Sequence, residues 1–269
     1  MPKLQNQFLQ IGYIDELAGL QSPVHNIESS AKLVTTLVFI VTVVSFDRYT
    51  VMQLLPFFIF PAVMISAGGL PAKFLLKSLL IASPFAVMVG VFNPMIDHSV
   101  ITHLFGLKVT GGWVSFCSII LRFALTVTAA LVLVSLTGFN QVCASLERFY
   151  VPRAFVVQLM FLYRYIFVLT EEAGRMVTAR SLRSFGRGEG MRVYASLLGH
   201  LLLRALDRAQ RIHLAMFSRG FDGNIRLIRK SAFGAKDAAF VLGWSALFIA
   251  FRIVNIPLLL GGIFTGIFS

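Results

Sequence analysis

The chain has 269 residues, with 24 Lys and Arg against 12 Asp and Glu, a net charge of +12. Hydrophobic residues make up 57% and charged residues only 13%, at a mean hydropathy of +0.80. A soluble domain carries about 25% charged residues, so this apolar excess excludes one, and it excludes intrinsic disorder as well. Two cysteines exclude a disulfide framework, which leaves a membrane protein with its positive charge gathered in one part of the chain.

The first 28 residues contain Asp15, Glu16 and Glu28 without a continuous apolar stretch, so they do not read as a signal peptide. A bilayer-crossing helix needs roughly 20 apolar residues. Charge-free runs predict four spans over about 31–47, 50–69, 76–96 and 112–136, with Lys32 and the Asp47-Arg48 pair snorkelling at the ends of the first. Gly68-Gly69 with Pro71, Asn93-Pro94 and Gly111-Gly112 punctuate them. A fifth span is predicted over about 238–256, broken near Asn255-Ile256-Pro257 because proline removes a donor and disfavours helix before it. The tail 257–269 either extends that span or forms a re-entrant piece. The predicted fold is all-α: a polytopic membrane protein of about five transmembrane helices, with a module of long amphipathic helices between spans four and five. The domain boundaries follow as 1–137, 138–236 and 237–269.

Lys and Arg collect on the cytoplasmic side of a membrane protein. Loop 97–110 carries only Lys108, whereas loop 70–77 carries Lys73 and Lys77, and 138–236 holds 16 of the 24 basic residues against six acids. The amino end, loop 70–77 and 138–236 are therefore expected in the cytoplasm.

A run of like charge is usually a solvated tail. Here apolar residues recur through it. Phe155 to Leu169 is apolar around Arg164, and Leu198, Leu202, Ala205, Ala209, Ile212 and Met216 form a heptad-like stripe. His200, Arg204, Arg208 and Arg211 lie on another face, so about 193–219 reads as an amphipathic helix. Such a helix either lies on an anionic membrane surface or packs on a partner helix. A short repeat favours the second. Ala179-Arg180-Ser181-Leu182-Arg183-Ser184-Phe185 and Ala215-Met216-Phe217-Ser218-Arg219-Gly220-Phe221 share the pattern Ala-x-x-x-Arg-small-Phe. Each copy closes a predicted helix, with Gly186 or Gly223 following. Arginine between small residues offers a rigid fork of donors suited to a carboxylate, beyond merely complementing the helix dipole.

At these residues the chain resembles the transmembrane T-component of energy-coupling factor transporters, most of all its CbiQ branch. Ser22-Pro23-Val24-His25 with Ser30-Ala31-Lys32-Leu33 resembles the family's approach to its first span, and Tyr163-Arg164-Tyr165, Glu171-Glu172 and Arg175-Met176 resemble the helix before the first coupling motif. The two arginine-centred repeats resemble the family's pair of Ala-Arg-Gly motifs, with departures. The copies read Leu182-Arg183-Ser184 and Ser218-Arg219-Gly220, and Ala179-Arg180-Ser181 offers a competing register for the first. The resemblance implies the scaffold of a cobalt importer, with nickel or a vitamin as alternatives. Its partners would be two cytoplasmic ATPase subunits of the CbiO type, a substrate-binding membrane S-component of the CbiM type and a small accessory membrane subunit of the CbiN type. Arg183 and Arg219 would each enter a groove of one ATPase and pair with acidic residues. ATP and magnesium would belong to those subunits, and no cofactor, catalytic residue, metal ligand or nucleic acid is expected on this chain.

The residues agree with a non-catalytic role. The Walker A pattern is absent, and no Cys/His cluster has zinc spacing. Arg122 lies inside the fourth span, where a charge faces protein, water or carbonyls, and is a candidate for intramembrane pairing. Asp97, His98 and His103 cluster in the outer loop, as scattered polar residues or a metal relay. Asp222 reads as a turn residue or an orienter of Arg219. Met160, Met176 and Met216 read as packing, and Cys117 and Cys143 as free thiols. A different class, a membrane enzyme acting on lipid head groups, would need a catalytic constellation, for which only Glu171-Glu172 and Asp207-Arg208 are available. A passive channel is a third reading.

Overall fold

The structure is a computed structural model that describes residues 15, 17–20, 22–96, 100–104, 107–184, 190–223, 225 and 233–254. The predicted break at Asn255-Ile256-Pro257, the tail 257–269, Asp97, His98, Phe185 and Gly186 lie outside the described residues. The chain divides into two compact units, one of residues 9–142 with 231–269 and the other containing 143–230.

The first unit is a helical bundle. Helix α1 (Ser29–Val44) is rich in β-branched residues, and its threonines bond back to their own helix: Thr35 to the Ala31 carbonyl at 2.9 Å and Thr36 to that of Lys32 at 2.9 Å. Such bonds satisfy hydroxyls where no water is available. The sequence predicts one continuous span over 50–69. The chain instead opens with a 3-10 helix over Met52–Phe58, containing Pro56, before α2 (Ile59–Gly68). Pro56 has no N–H for an α-helical bond, and the tighter turns absorb that loss. Helix α2 closes through Gly69 at φ +65, whose successor Leu70 donates to the Ile65 carbonyl at 3.1 Å.

Helix α3 (Ala72–Ile96) begins earlier than predicted and carries Pro84 and Pro94. The expected outer loop is partly a hairpin, with β1 (Val100–Leu104) antiparallel to β2 (Leu107–Thr110) and a register shift between Val100 and Thr102. Helix α4 (Gly111–Thr137) packs closely on α3, because Gly90 lies where a Cβ would sit 2.7 Å from the Phe116 ring. Leu125, Ala129, Val132 and Leu136 form the buried face of α4 at steps of four, three and four.

Helix α5 (Phe139–Arg148), α6 (Arg153–Arg183) and α7 (Met191–Ser218) follow, and α8 (Ala235–Ile253) returns to the bundle. There α8 buries Phe248 completely. Its ring lies 5.2 Å from Phe39 of α1 and 5.3 Å from Phe60 of α2, and Phe57 and Trp244 extend the cluster. Tilted and edge-on rings at this spacing add to the area they bury. The molecule is thus an all-α polytopic membrane protein with one short hairpin.

By length and composition α3, α4 and α6 are each able to cross a membrane. The sequence predicts α6 as part of the basic stretch instead. The apolar character of α6 lies in its first half, while Glu171, Glu172, Arg175, Arg180 and Arg183 charge its second half.

A candidate docking surface on the basic module

Both repeat arginines end helices, but with different caps. Arg219 follows the last residue of α7, and Gly220 then takes φ +74. Phe221 N–H donates to the Met216 carbonyl at 3.0 Å and Gly220 N–H to that of Phe217 at 2.9 Å. This is a Schellman closure, which needs a left-handed residue immediately after Arg219 and so accounts for glycine in the second copy. Arg183 is the final residue of α6, and Ser184 caps it at φ −82, donating its N–H to the Arg180 carbonyl at 3.0 Å. Ser184 itself is right-handed, so serine serves at this position. The copies that align in sequence therefore differ by one position in how they meet the end of the helix.

Ala179, Arg180, Arg183, Ser218, Arg219 and Gly220 are exposed, and Ser184 is half-buried. The hydroxyls of Ser184 and Ser218 bond back to the Ser181 and Leu214 carbonyls at 2.9 and 3.0 Å, so both small neighbours stay close to their own helix. No ion pair reaches Arg180, Arg183 or Arg219 among the described residues. Arg180 and Arg183 share the last turn of α6, so both registers of the first copy offer an exposed guanidinium.

Helices α6 and α7 pack on one another. Glu172 of α6 accepts a hydrogen bond from Arg204 of α7 and lies 3.7 Å from Arg175, and Glu171 also pairs with Arg175 at 3.6 Å. The less exposed stripe of α7 runs through Val193, Leu197, Leu201, Ala205, Ile212 and Met216. The predicted stripe agrees over Ala205, Ile212 and Met216, but Leu198 and Leu202 are 65% and 61% exposed and Ala209 is exposed too. Leu203, Leu206, Leu214 and Phe217 are exposed too, and no described residue of α7 is buried. His200, Arg208 and Arg211 are exposed with Arg204 on the basic face, and His213 stacks edge-on against Phe217 at 4.5 Å.

Arg122 donates to the backbone carbonyl of Asp47, and Arg252 of α8 donates to that of Ser45 at 2.9 Å while lying 4.2 Å over the Phe46 ring. Two arginines from distant helices thus bond the chain just past α1, whose own last turn has no basic residue. The sequence singles out Arg122 but not Arg252. It also does not single out Asp237, and it treats Lys32 as a snorkelling flank, although both side chains are buried. His25 accepts from the Ser22 hydroxyl at 2.7 Å and donates to the Leu17 carbonyl at 3.1 Å. Burial pushes its imidazole below the usual value, the Leu17 bond offsets part of that, and the Lys32 charge lowers it further.

Among the described residues no group of three or more His, Cys, Asp or Glu side chains is arranged to hold a metal ion. His103 falls within β1. Cys117 is exposed and Cys143 buried, and burial pushes the Cys143 thiol up.

The family model of the CbiQ cobalt transport protein matches residues 21–228. An uncharacterized protein of Methanocaldococcus jannaschii is 25% identical over 241 residues, covering 86% of this chain and 82% of the relative. A cobalt transport protein CbiQ of Rhodobacter capsulatus is 33% identical over 36% of this chain and 40% of its own length. Another, of Salmonella typhimurium, is 31% identical over 39% of this chain and 48% of its own length. The alignments thus span less than half of either curated cobalt transport protein. With the match covering most of the sequence and the apolar helices already described, the chain belongs to the CbiQ family of membrane transport proteins.

Proposed function

We propose that this chain is the transmembrane scaffold of an ATP-driven cobalt importer, converting the closure of partner ATPase subunits into movement of a separate substrate-binding membrane subunit. The observation that carries the reading is the pair of exposed arginines ending α6 and α7, each beside a serine whose hydroxyl is held against its own helix. A guanidinium so presented can enter a groove and pair bidentately with a carboxylate. Arg183, with Arg180 beside it, serves one ATPase and Arg219 the other. Residues 1–137 and 237–269 form the membrane region, and 138–236 the cytoplasmic coupling module of a prokaryotic plasma-membrane protein. Helix α6 is assigned to that side on its charged second half, Glu171 to Arg183, and on the basic stretch it belongs to. The exposed leucines of α7 supply a surface for the substrate-binding subunit.

The cobalt specificity rests on the CbiQ relatives, and an uptake assay with cobalt, nickel and vitamins distinguishes the substrates. Of the carboxylates that a lipid head-group enzyme would need, Glu171 and Glu172 pair with Arg175, and Glu172 also with Arg204.

The double variant Arg183→Glu with Arg219→Glu tests the scaffold role. ATPase subunits are expected to co-purify with the native chain and to be lost from the variant, which still inserts in the membrane. A variant complex that assembles and hydrolyses ATP normally would overturn the coupling role.

A further inference from the structure

The chain passes from the bundle into 143–230 after residue 142 and returns before residue 231. Near these passages α4 ends at Thr137 and α8 begins at Ala235. A run of buried hydrogen bonds joins these two helix ends through the start of α1. Gly234 N–H donates to Asp237 Oδ2 at 2.9 Å, and Glu28 N–H donates to Asp237 Oδ1 at 2.8 Å. Lys32 N–H donates to the Glu28 carbonyl at 3.2 Å. Lys32 Nζ then donates to the Leu136 carbonyl at 3.2 Å and to the His25 carbonyl at 3.3 Å. Exposure is 8% at Asp237, 2% at Glu28, 2% at Lys32 and 1% at Leu136.

Burying an ammonium and a carboxylate is costly, and apolar packing of the same volume is often as stable. What these two charged side chains supply, each through backbone partners, is geometry. Asp237 holds the N–H groups of two segments with one carboxylate, and Lys32 holds the last turn of α4 to the first turn of α1. Only α1, through four residues of backbone, lies between them. The two helix ends that carry the module are thereby set at one spacing.

We propose that Lys32 and Asp237 are positioning residues for energy coupling: they lock the end of α4 to the start of α8, so that displacement of the module moves the bundle as one body. Without the lock, each connection yields separately and the displacement is absorbed. This rests on the scaffold reading above.

The test uses the full chain with its native partners in proteoliposomes, comparing cobalt taken up per ATP hydrolysed for Asp237→Asn, Lys32→Met and Lys32→Arg. Leu125→Ala serves as a control that destabilises the bundle core away from these bonds. Losing one buried charged hydrogen bond is worth about tenfold in an equilibrium. Asp237→Asn and Lys32→Met are expected to lower uptake per ATP about tenfold, with ATPase subunits still bound and hydrolysing. Lys32→Arg, which keeps charge and donors, is expected to retain most of the ratio, and Leu125→Ala to lower the Tm with the ratio intact. An unchanged ratio in Asp237→Asn, or a fall in Leu125→Ala equal to it at matched loss of Tm, would overturn the proposal. Should Lys32→Met fail to insert, Asp237→Asn, which keeps the side-chain shape, decides. If the native chain brings down no ATPase, the scaffold reading itself fails, a result distinct from a lost ratio.

Discussion

The bundle and the basic module are built on opposite terms. The bundle encloses a cluster of phenylalanines from α1, the 3-10 helix, α2 and α8, with Phe39 and Phe248 fully buried. The module has long helices held by Glu172, Arg204 and Arg175 and leaves most of the leucines of α7 uncovered. A helix with half its circumference apolar and nothing buried is stabilised by what binds it, whereas the bundle supplies its own packing. One unit holds its shape and the other waits for a surface.

Three experiments sharpen that contrast. Phe39→Ala, in the aromatic cluster, removes a fully buried ring and is expected to destabilise the bundle by about 3–5 kcal/mol. Unfolding in a denaturing detergent series measures it, and a loss below about 1 kcal/mol would mean that the core repacks freely. Gly220→Ala has open space for its Cβ, so its cost is the left-handed backbone alone, about 1–2 kcal/mol. Faster amide exchange at 216–221 should report it, with Gly220→Asn milder. The double-mutant cycle of Glu172→Gln and Arg204→Gln is expected to give the smallest term, about 0.2–1 kcal/mol, because the Arg204 side chain is 62% exposed. A value above about 2 kcal/mol would make the module self-supporting and remove the contrast.

The bundle was largely legible because an apolar helix declares itself by the absence of charge, and proline punctuated it: Pro56 sits where α-helix gives way to 3-10 turns. The hairpin was not expected, although Val100, Ile101, Thr102, Val109 and Thr110 carry β-branched character on both strands. The less exposed stripe of α7 runs through Leu197 and Leu201 rather than Leu198 and Leu202, and Ala209 lies off it as well. Leucines at 197, 198, 201, 202 and 203 cover so much of the helix that periodicity alone does not select a face. The repeat arginines were visible as helix ends, but their differing caps depend on backbone angles that Ser184 and Gly220 only hint at. Lys32 and Asp237 were out of reach for another reason. Their partners lie 104 and 209 residues away, and no local pattern signals such a bond.

The position of Phe248 has a consequence for biosynthesis. Helix α8 is translated after the whole of 143–230, yet its Phe248 ring packs on Phe39, Phe57 and Phe60, which are made long before it. The earlier helices must therefore wait with an open aromatic cleft while the ribosome completes residues 143–230. Closure of that cleft by the last helix couples maturation of the membrane part to completion of the chain, so that a nascent product stopped before residue 235 would present an unfilled groove to quality-control proteases.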